Sequence, residues 1–234
     1  MTSVVIPCFN EERRIGSSLR KIVEFFSGRA EPWEVIVVDD GSSDGTSDTI
    51  RHGFAGESRV RLIRHETNSG KGFAVRAGAL AAAGDLVLMS DADLSTPIAE
   101  VAALEAKASE GFDLVVGSRV VRGARISTPQ PLQRRLSGWV FRKLVRGLGL
   151  CSVEDTQCGF KLMRRPAIDG VLRQIETEGF AFDVELIARA ERAGLRVAEM
   201  PITWHDAEGS KVRLFPDALN MAVDLLRLRG RLSR

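Results

Sequence analysis

Short apolar runs rich in Val and Ile alternate with segments of helical periodicity through the first half of the chain, the order that builds a mostly parallel sheet flanked by helices. The runs predict strands at Ser3 to Pro7, Val35 to Asp39, Val60 to Arg64, Leu86 to Ser90 and Leu114 to Gly117. Between them, the helical spacing of apolar residues predicts helices at Ile15 to Phe26, Thr46 to about His52, Gly72 to Ala83 and Ile98 to Ser109. Asn10, Asp44, Ser69 and Thr96 are placed to cap them.

After Ser118 the pattern breaks. The stretch GARISTPQP, with two prolines, reads as a loop that no sheet needs, of the kind that serves as a lid or binding loop. A basic helix from Leu132 to Leu148 follows, then a polar knot, VEDTQCGFKLM. A helix from Phe182 to Ala193, a strand from Val197 to Pro201 and an amphipathic helix from about Pro216 to Arg231 complete the chain. That last helix puts Phe215, Leu219, Ala222 and Leu226 on one face and gathers Arg227, Arg229, Arg231 and Arg234 at its end. Two readings fit it equally: a helix packed on the sheet with cations against its C-terminal dipole, or an interfacial helix touching anionic lipid.

At 234 residues, with 44% hydrophobic and 27% charged content, the chain can bury a sizeable core, and it reads as one α/β domain. No apolar stretch approaches the roughly 20 residues of a membrane span, and Met1 leads directly into SVVIP, which predicts a cytoplasmic protein. Cys8, Cys151 and Cys158 are three in number with no CxxC pair, which argues against a disulfide framework or a structural zinc site and for reduced, mostly buried thiols.

Charge is nearly balanced at +2 but segregated. From Leu114 to Val153 there is no acid, while Arg119, Arg122, Arg125, Arg134, Arg135, Arg142, Lys143 and Arg146 are all cationic. Such a block calls for an anionic partner: phosphates, a membrane surface or nucleic acid. No recognisable RNA or DNA motif accompanies it and aromatic residues are few, so nucleic acid is set aside.

Two of the predicted strands end in acids. WEVIVVDDGSSDGT closes on Asp39 and Asp40, and DLVLMSDAD closes on Asp91 and Asp93. In an open α/β sheet ligands bind at the carboxyl ends of parallel strands, so the two tips suggest one pocket. Asp91-Ala92-Asp93 could share a hard divalent cation, Mg²⁺ or Mn²⁺, with positions left for a diphosphate; it could equally be an Asp-rich turn in which Asp93 or Ser95 caps the next helix. The DGSSDGT segment works as a βα turn, yet that leaves Asp39 and Asp40 repelling each other unless a cation or ligand donors intervene. Asn68-Ser69-Gly70-Lys71-Gly72 suits a phosphate at a helix start, though it is neither a Walker A loop nor GxGxxG. His52, His65 and His205 read as ordinary structural or surface residues.

The order of these pieces is specific. Pro7-x-x-Asn10-Glu11, VDDGSSDGT, NSGKG, DAD and Gly117-Ser118-Arg119 together resemble the nucleotide-sugar half of the inverting family 2 glycosyltransferases, of GT-A fold. In the second half, Asp155 to Lys161, Phe182 to Leu186, and Trp204 with Glu208 to Lys211 resemble the dolichyl-phosphate glucosyltransferases, with the mannose synthases one step away.

The resemblance implies a single GT-A domain over residues 1–234: a Rossmann-like, mostly parallel sheet with a nucleotide-sugar half (1–118) and a C-terminal acceptor-side extension (119–234). Pro7, Asn10, Glu11, Asp39 and Asp40 would face the nucleoside, and Lys71, Asp91, Ala92 and Asp93 the diphosphate. Asp93, with Asp91, would hold Mg²⁺ or Mn²⁺. Arg119, Arg134, Arg135 and Ser137 would meet the phosphate of a polyprenyl acceptor, with Asp155 as base or acceptor-positioning group. The donor would be a nucleotide sugar, UDP-glucose first, and the protein would work peripherally at the cytoplasmic face of a membrane, alone or with a separate membrane protein. Where the mannose synthases carry glutamine after the acids, this chain has Ser95, which speaks against a third metal ligand there.

Overall fold

The computed structural model describes residues 1–128, 132–206 and 214–233, the side chains of Arg134 and of 214–220 excepted. The 208–211 part of the C-terminal motif, Arg234 and the side chains of Phe215 and Leu219 therefore lie outside the described residues.

Three strands form one half of the central sheet: β1 (Thr2–Cys8), β2 (Trp33–Asp39) and β3 (Val60–Arg64). The other half holds β4 (Leu86–Met89), β5 (Leu114–Ser118), β7 (Lys161–Arg164) and β8 (Val197–Pro201). Their spatial order is β3-β2-β1-β4-β7-β5-β8. All neighbours pair in parallel except at β7, which runs antiparallel between β4 and β5.

Continuous Val/Ile runs suit strands buried on both faces, and β1 and β2 are such strands. Val4 and Ile6 face one core with Leu19, Ile22 and Phe26 of α1 (Ile15–Ser27) and Leu104 of α4 (Val101–Ser109). Val5, Ile36 and Val38 face the other, with Val75 of α3 (Lys71–Ala81), Leu172 of α6 (Arg165–Gln174) and Leu186 of α7 (Phe182–Arg192). The predicted strands and helices recur within a few residues, α2 (Thr46–Gly53) among them.

Several expectations change. GARISTPQP is not all loop: Arg125–Thr128 forms β6, which pairs in parallel with β9 (Thr203–His205) as a separate two-stranded sheet beside the main one. Strand β7 and helix α6 arise inside and after the polar knot, where only a short apolar run, Phe160 to Met163, marks them. Of the predicted caps, Asp44 accepts from the Thr46 N–H at 3.0 Å. The residues that begin α1, α3 and the 3-10 turn at Ile98–Glu100 are instead Arg14, Gly70 and Pro97, none of them capping through a side chain.

The basic helix is α5 (Leu132–Gly147), and the last helix, α8 (Leu214–Leu232), packs on α5 and α7 in a third cluster built from Val145, Leu150, Ala181, Val184, Leu225 and Leu228. The face predicted for α8 is rotated: Leu225 and Leu228 are fully buried, while Leu226 is 60% exposed. The neighbours above the helix, not its own periodicity, choose the buried stripe. Leu228→Ala should therefore cost about 2–5 kcal/mol in a urea unfolding experiment, whereas Leu226→Ala should stay within about 0.5 kcal/mol of the parent.

Candidate active site

The sheet changes winding direction between β1 and β4, and the crevice at the carboxyl ends of these strands is where an α/β fold takes ligands. Asp39 and Asp40 end β2 on one side of it, and Asp91 and Asp93 follow β4 on the other.

The two adjacent acids of β2 do not need a cation to keep them apart. Asp39 is fully buried and spends its oxygens on the Ser42 N–H, at 2.9 Å, and on the Ser47 hydroxyl. Asp40 turns the other way and accepts from the Ser69 and Gly70 N–H groups at 3.0 and 2.7 Å, with His65 Nδ1 at 3.2 Å. The expectation that ligand donors relieve their repulsion is thus corrected: backbone donors of the protein do so. Asn10 and Glu11 likewise bind this turn. The Asn10 N–H donates to Ser42 Oγ and its side-chain oxygen accepts from the Ser43 N–H, while the Glu11 N–H donates to Thr46 Oγ1. The Glu11 carboxylate pairs with Arg14. Pro7, near the end of β1, is half-buried beside them.

The NSGKG segment also differs from a phosphate cradle. Its Ser69 and Gly70 N–H groups donate to the Asp40 carboxylate, and the Gly72 and Phe73 N–H groups donate to the Glu178 carbonyl at 2.6 and 3.2 Å. Gly72 is required by this approach, since a Cβ there would lie 2.5 Å from Phe182 Cβ and 2.6 Å from the Thr177 carbonyl. The Thr177 N–H in turn donates to the buried Glu185 carboxylate of α7 at 2.8 Å. What reaches the crevice from this loop is Lys71, whose Nζ donates to Asp91 Oδ1 at 2.7 Å. Burial works against the Lys71 charge, but Asp91 and Asp183 outweigh it and raise the pKa above the ordinary lysine value. Asp91 stays ionised by the same logic, its burial cost overcome chiefly by Lys71.

Asp93 accepts from the Ser95 N–H at 2.9 Å, so the turn reading of DAD is correct as far as one of its oxygens goes. Ala92 is buried in the core and sets the two carboxylates on the crevice side of it. Among the described residues no group of three His, Cys, Asp or Glu assembles around them. Two carboxylates alone, with remaining positions for water and diphosphate oxygens, fit the way Mg²⁺ or Mn²⁺ is held by hard oxygen donors.

Arg119 follows β5 and enters the site with Asp155. The Asp155 carboxylate accepts from Arg119 Nε and Nη2 at 2.8 and 2.7 Å and from its backbone N–H at 2.8 Å, a two-pronged pair that leaves Asp155 only 2% exposed. Burial would raise the Asp155 pKa, but Arg119 overcomes that and holds the carboxyl below its ordinary range. Both Asp155 oxygens accept from Arg119, which fixes the plane of the guanidinium. Arg119 also lies over the Trp204 ring, at 5.6 Å from its centroid. Of the other acceptor candidates, Arg135 is exposed on α5, Ser137 is half-buried on the same helix, and the side chain of Arg134 lies outside the described residues.

The sequence reading missed how the polar knot arrives. Because β7 runs backwards, its first residue, Lys161, pairs with both Met89 of β4 and Val116 of β5 at the ligand end of the sheet. There Lys161 is wholly buried in an ion pair with Asp183 of α7 and also donates to the Cys158 carbonyl. Gly159 lies against Asp91: a Cβ there would be 1.8 Å from Asp91 Oδ2. The one signal for this in the sequence was the density of polar residues in the knot itself. Gly159→Ala should consequently displace Asp91 from Lys71 and lower kcat at least about tenfold, with a circular dichroism spectrum like the parent's.

Asp155→Asn should cost about 3–5 kcal/mol at pH 7 by leaving Arg119 without its counter-charge. The parent's advantage is complete above the ordinary carboxylate pKa of about 3.9 and is lost as pH falls through the lowered native value, so paired denaturant titrations should show the gap closing in acid.

The family model for glycosyl transferase family 2 matches residues 3–172. A dolichyl-phosphate beta-glucosyltransferase of Trichomonas vaginalis is 36% identical over 97% of this chain and 70% of its own length. The dolichyl-phosphate beta-glucosyltransferases of Saccharomyces cerevisiae and Homo sapiens are each 35% identical, over 97% and 98% of this chain and 73% and 75% of their own lengths. Among solved structures, glucosyl-3-phosphoglycerate synthase from Mycobacterium tuberculosis, in complex with Mn²⁺, UDP-glucose and phosphoglyceric acid, superposes with a TM-score of 0.69 at 22% identity, covering 98% of this chain and 80% of that one. Mannosyl-3-phosphoglycerate synthase from Rubrobacter xylanophilus gives 0.74 at 19% identity over 100% and 74%. These likenesses, over the same strand ends and acids described above, establish that the chain belongs to glycosyl transferase family 2.

Proposed function

We propose that this glycosyltransferase moves glucose from UDP-glucose to a polyprenyl phosphate, with inversion, at the surface of a membrane. The observation that carries the reading is the meeting of two cation–carboxylate pairs at the same end of the sheet, Lys71 with Asp91 and Arg119 with Asp155. The first pair suits a diphosphate leaving group and the second a phosphate acceptor. Support for the lipid acceptor comes from the names of the relatives, dolichyl-phosphate beta-glucosyltransferases.

In the proposed reaction an oxygen of the acceptor phosphate attacks the anomeric carbon from the face opposite the diphosphate. The bond to the leaving oxygen breaks as the new one forms, and an α-linked donor yields a β-linked lipid phosphate sugar. The attacking oxygen is already ionised, so no proton has to move, which agrees with Asp155 being committed to Arg119. Lys71 stays charged and donates toward the oxygens on which negative charge builds. Arg119, held in a fixed plane by Asp155, offers its remaining donors to the acceptor phosphate, with Arg134, Arg135 and Ser137 of α5 proposed as further contacts. A divalent cation held by Asp93 and Asp91, Mg²⁺ or Mn²⁺, supplies neutralisation of the departing diphosphate; the Mn²⁺ of the mycobacterial synthase complex supports that assignment. Pro7, Asn10, Glu11, Asp39 and Asp40 shape the nucleoside end, the last four by fixing the loops that form its wall. No helix among the described residues is long and apolar enough to cross a membrane; the proposed lipid acceptor calls for reaction at a bilayer surface, and we propose its cytoplasmic face.

The test is transfer of labelled glucose from UDP-glucose, with Mn²⁺ or Mg²⁺ present, to a short polyprenyl phosphate dispersed in detergent. Acid-labile label should enter the organic phase. Lys71→Met and Asp93→Ala should each lower kcat by about 10²–10³-fold while keeping the parent's fold. Transfer to a soluble hydroxyl acceptor, with none to the lipid from any nucleotide sugar, would sink the proposal.

A further inference from the structure

Among the described residues, the outer side of α5 leaves large apolar side chains exposed. Its inner side is spent on the third core cluster through Val145, with Phe141 and Leu144 packed beside it. On the outer side Leu132, Leu136, Trp139 and Val140 are 76, 60, 51 and 52% exposed, at a spacing that aligns them along the helix. Large apolar side chains left in a contiguous exposed row mark a surface that meets something apolar. Next to the row, a cavity of about 240 Å³ opens between α5 and the 151–154 turn, lined among others by Val120, Trp139, Arg142, Lys143, Arg146 and Val153.

Among the described residues the cavity is lined by three cations, Arg142, Lys143 and Arg146, and one acid, Glu154. Among the described residues Arg142 and Lys143 make no ion pair, Lys143 instead lying 5.8 Å from the Trp139 ring centroid. Arg146 reaches only Glu154, at 3.8 Å and with both side chains more than half exposed, a pair of little energetic weight. The α5 segment has no acid of its own. An apolar row with cations and a largely cationic cavity at its edge has the chemistry of a helix lying in a bilayer interface, hydrocarbon on one side and anionic headgroups on the other.

We infer that the Trp139–Arg146 part of α5 and the cavity beside it form a docking surface for anionic phospholipid, beyond the acceptor contacts proposed at Arg134, Arg135 and Ser137 of the same helix, and able to seat the protein on a negatively charged bilayer. Two features favour a bilayer over a protein partner: the excess of positive charge, three cations against Glu154, and continuity with the site through Val120, which lines the cavity and follows Arg119 directly in the chain. The inference assigns lipid contact to α5 and, of the anionic partners that the cationic block called for, gives Arg142, Lys143 and Arg146 the headgroups of a membrane surface. Its relevance to turnover rests on the lipid acceptor proposed above; the binding itself does not.

The experiment is co-sedimentation of the full chain with extruded vesicles of phosphatidylcholine alone or with 30 mol% phosphatidylglycerol, without nucleotide sugar or acceptor. The anionic vesicles should bind at least about tenfold more tightly than the neutral ones, and binding should weaken with added salt. The double variant Arg142→Glu/Arg146→Glu, and separately Trp139→Ser, should each lose at least about tenfold in affinity for the anionic vesicles. Both should keep the parent's circular dichroism and, within about twofold, its transfer to acceptor dispersed in detergent, as separate sites require. Equal binding to both vesicle types, variants that bind like the parent, or self-association through Trp139 in place of vesicle binding would overturn the inference. So would loss of detergent-phase transfer in Arg142→Glu/Arg146→Glu, since it would merge the surface with the acceptor site. Vesicle binding by a parent that transfers no sugar would uphold the docking surface and refute only the proposed reaction.

Discussion

The site depends on how residues 69–71 are held between two acids. Asp40 grips the Ser69 and Gly70 N–H groups from the β2 side, and Lys71, the next residue, reaches Asp91 on the β4 side. The same loop is pressed from behind by the Glu178 carbonyl, which accepts from Gly72 and Phe73. A lysine pinned by its own backbone this tightly loses little further freedom when it meets an anion, and that is the condition under which a fixed charge stabilises a leaving group better than water does. Asp40 and Asp39, though adjacent, therefore do different work: one sets the loop that carries Lys71 and the other closes the turn beneath it.

The second half of the site is imported by one reversed strand. A parallel β7 would deliver its first residue to the far end of the sheet. Running antiparallel between β4 and β5, it brings the Asp155–Lys161 segment to the ligand end, where Asp155 fixes Arg119 and Gly159 makes room for Asp91. The Lys161–Asp183 pair, with no access to solvent, ties this segment to the start of α7. A buried pair of this kind is weak evidence for net stability, because desolvation offsets much of its attraction, but removing one partner would leave a charge stranded beside Asp91 and Asp155. Helix α7 in turn carries Glu185, which orders the turn that presents Glu178. Both sides of the crevice are thus supported by the same helix.

The chain itself determined the parallel α/β half, because Val/Ile runs buried on both faces and helices of matching period are local patterns. It also determined which residue types gather at the strand ends, and the family whose order of motifs it shares. Tertiary structure decided the rest. Which N–H groups come near a carboxylate is set by the fold: Asp39, Asp40 and Asp155 accept from donors of neighbouring loops, and Lys71 is paired with Asp91. The direction of β7 was not legible, since its three buried residues, Lys161 to Met163, carry no sign of orientation. Nor was the exposed face of α5 or the buried face of α8. An amphipathic pattern states that one side of a helix is apolar, but only the neighbours that arrive on it, or fail to, decide whether that side lies in a core or is left for another partner.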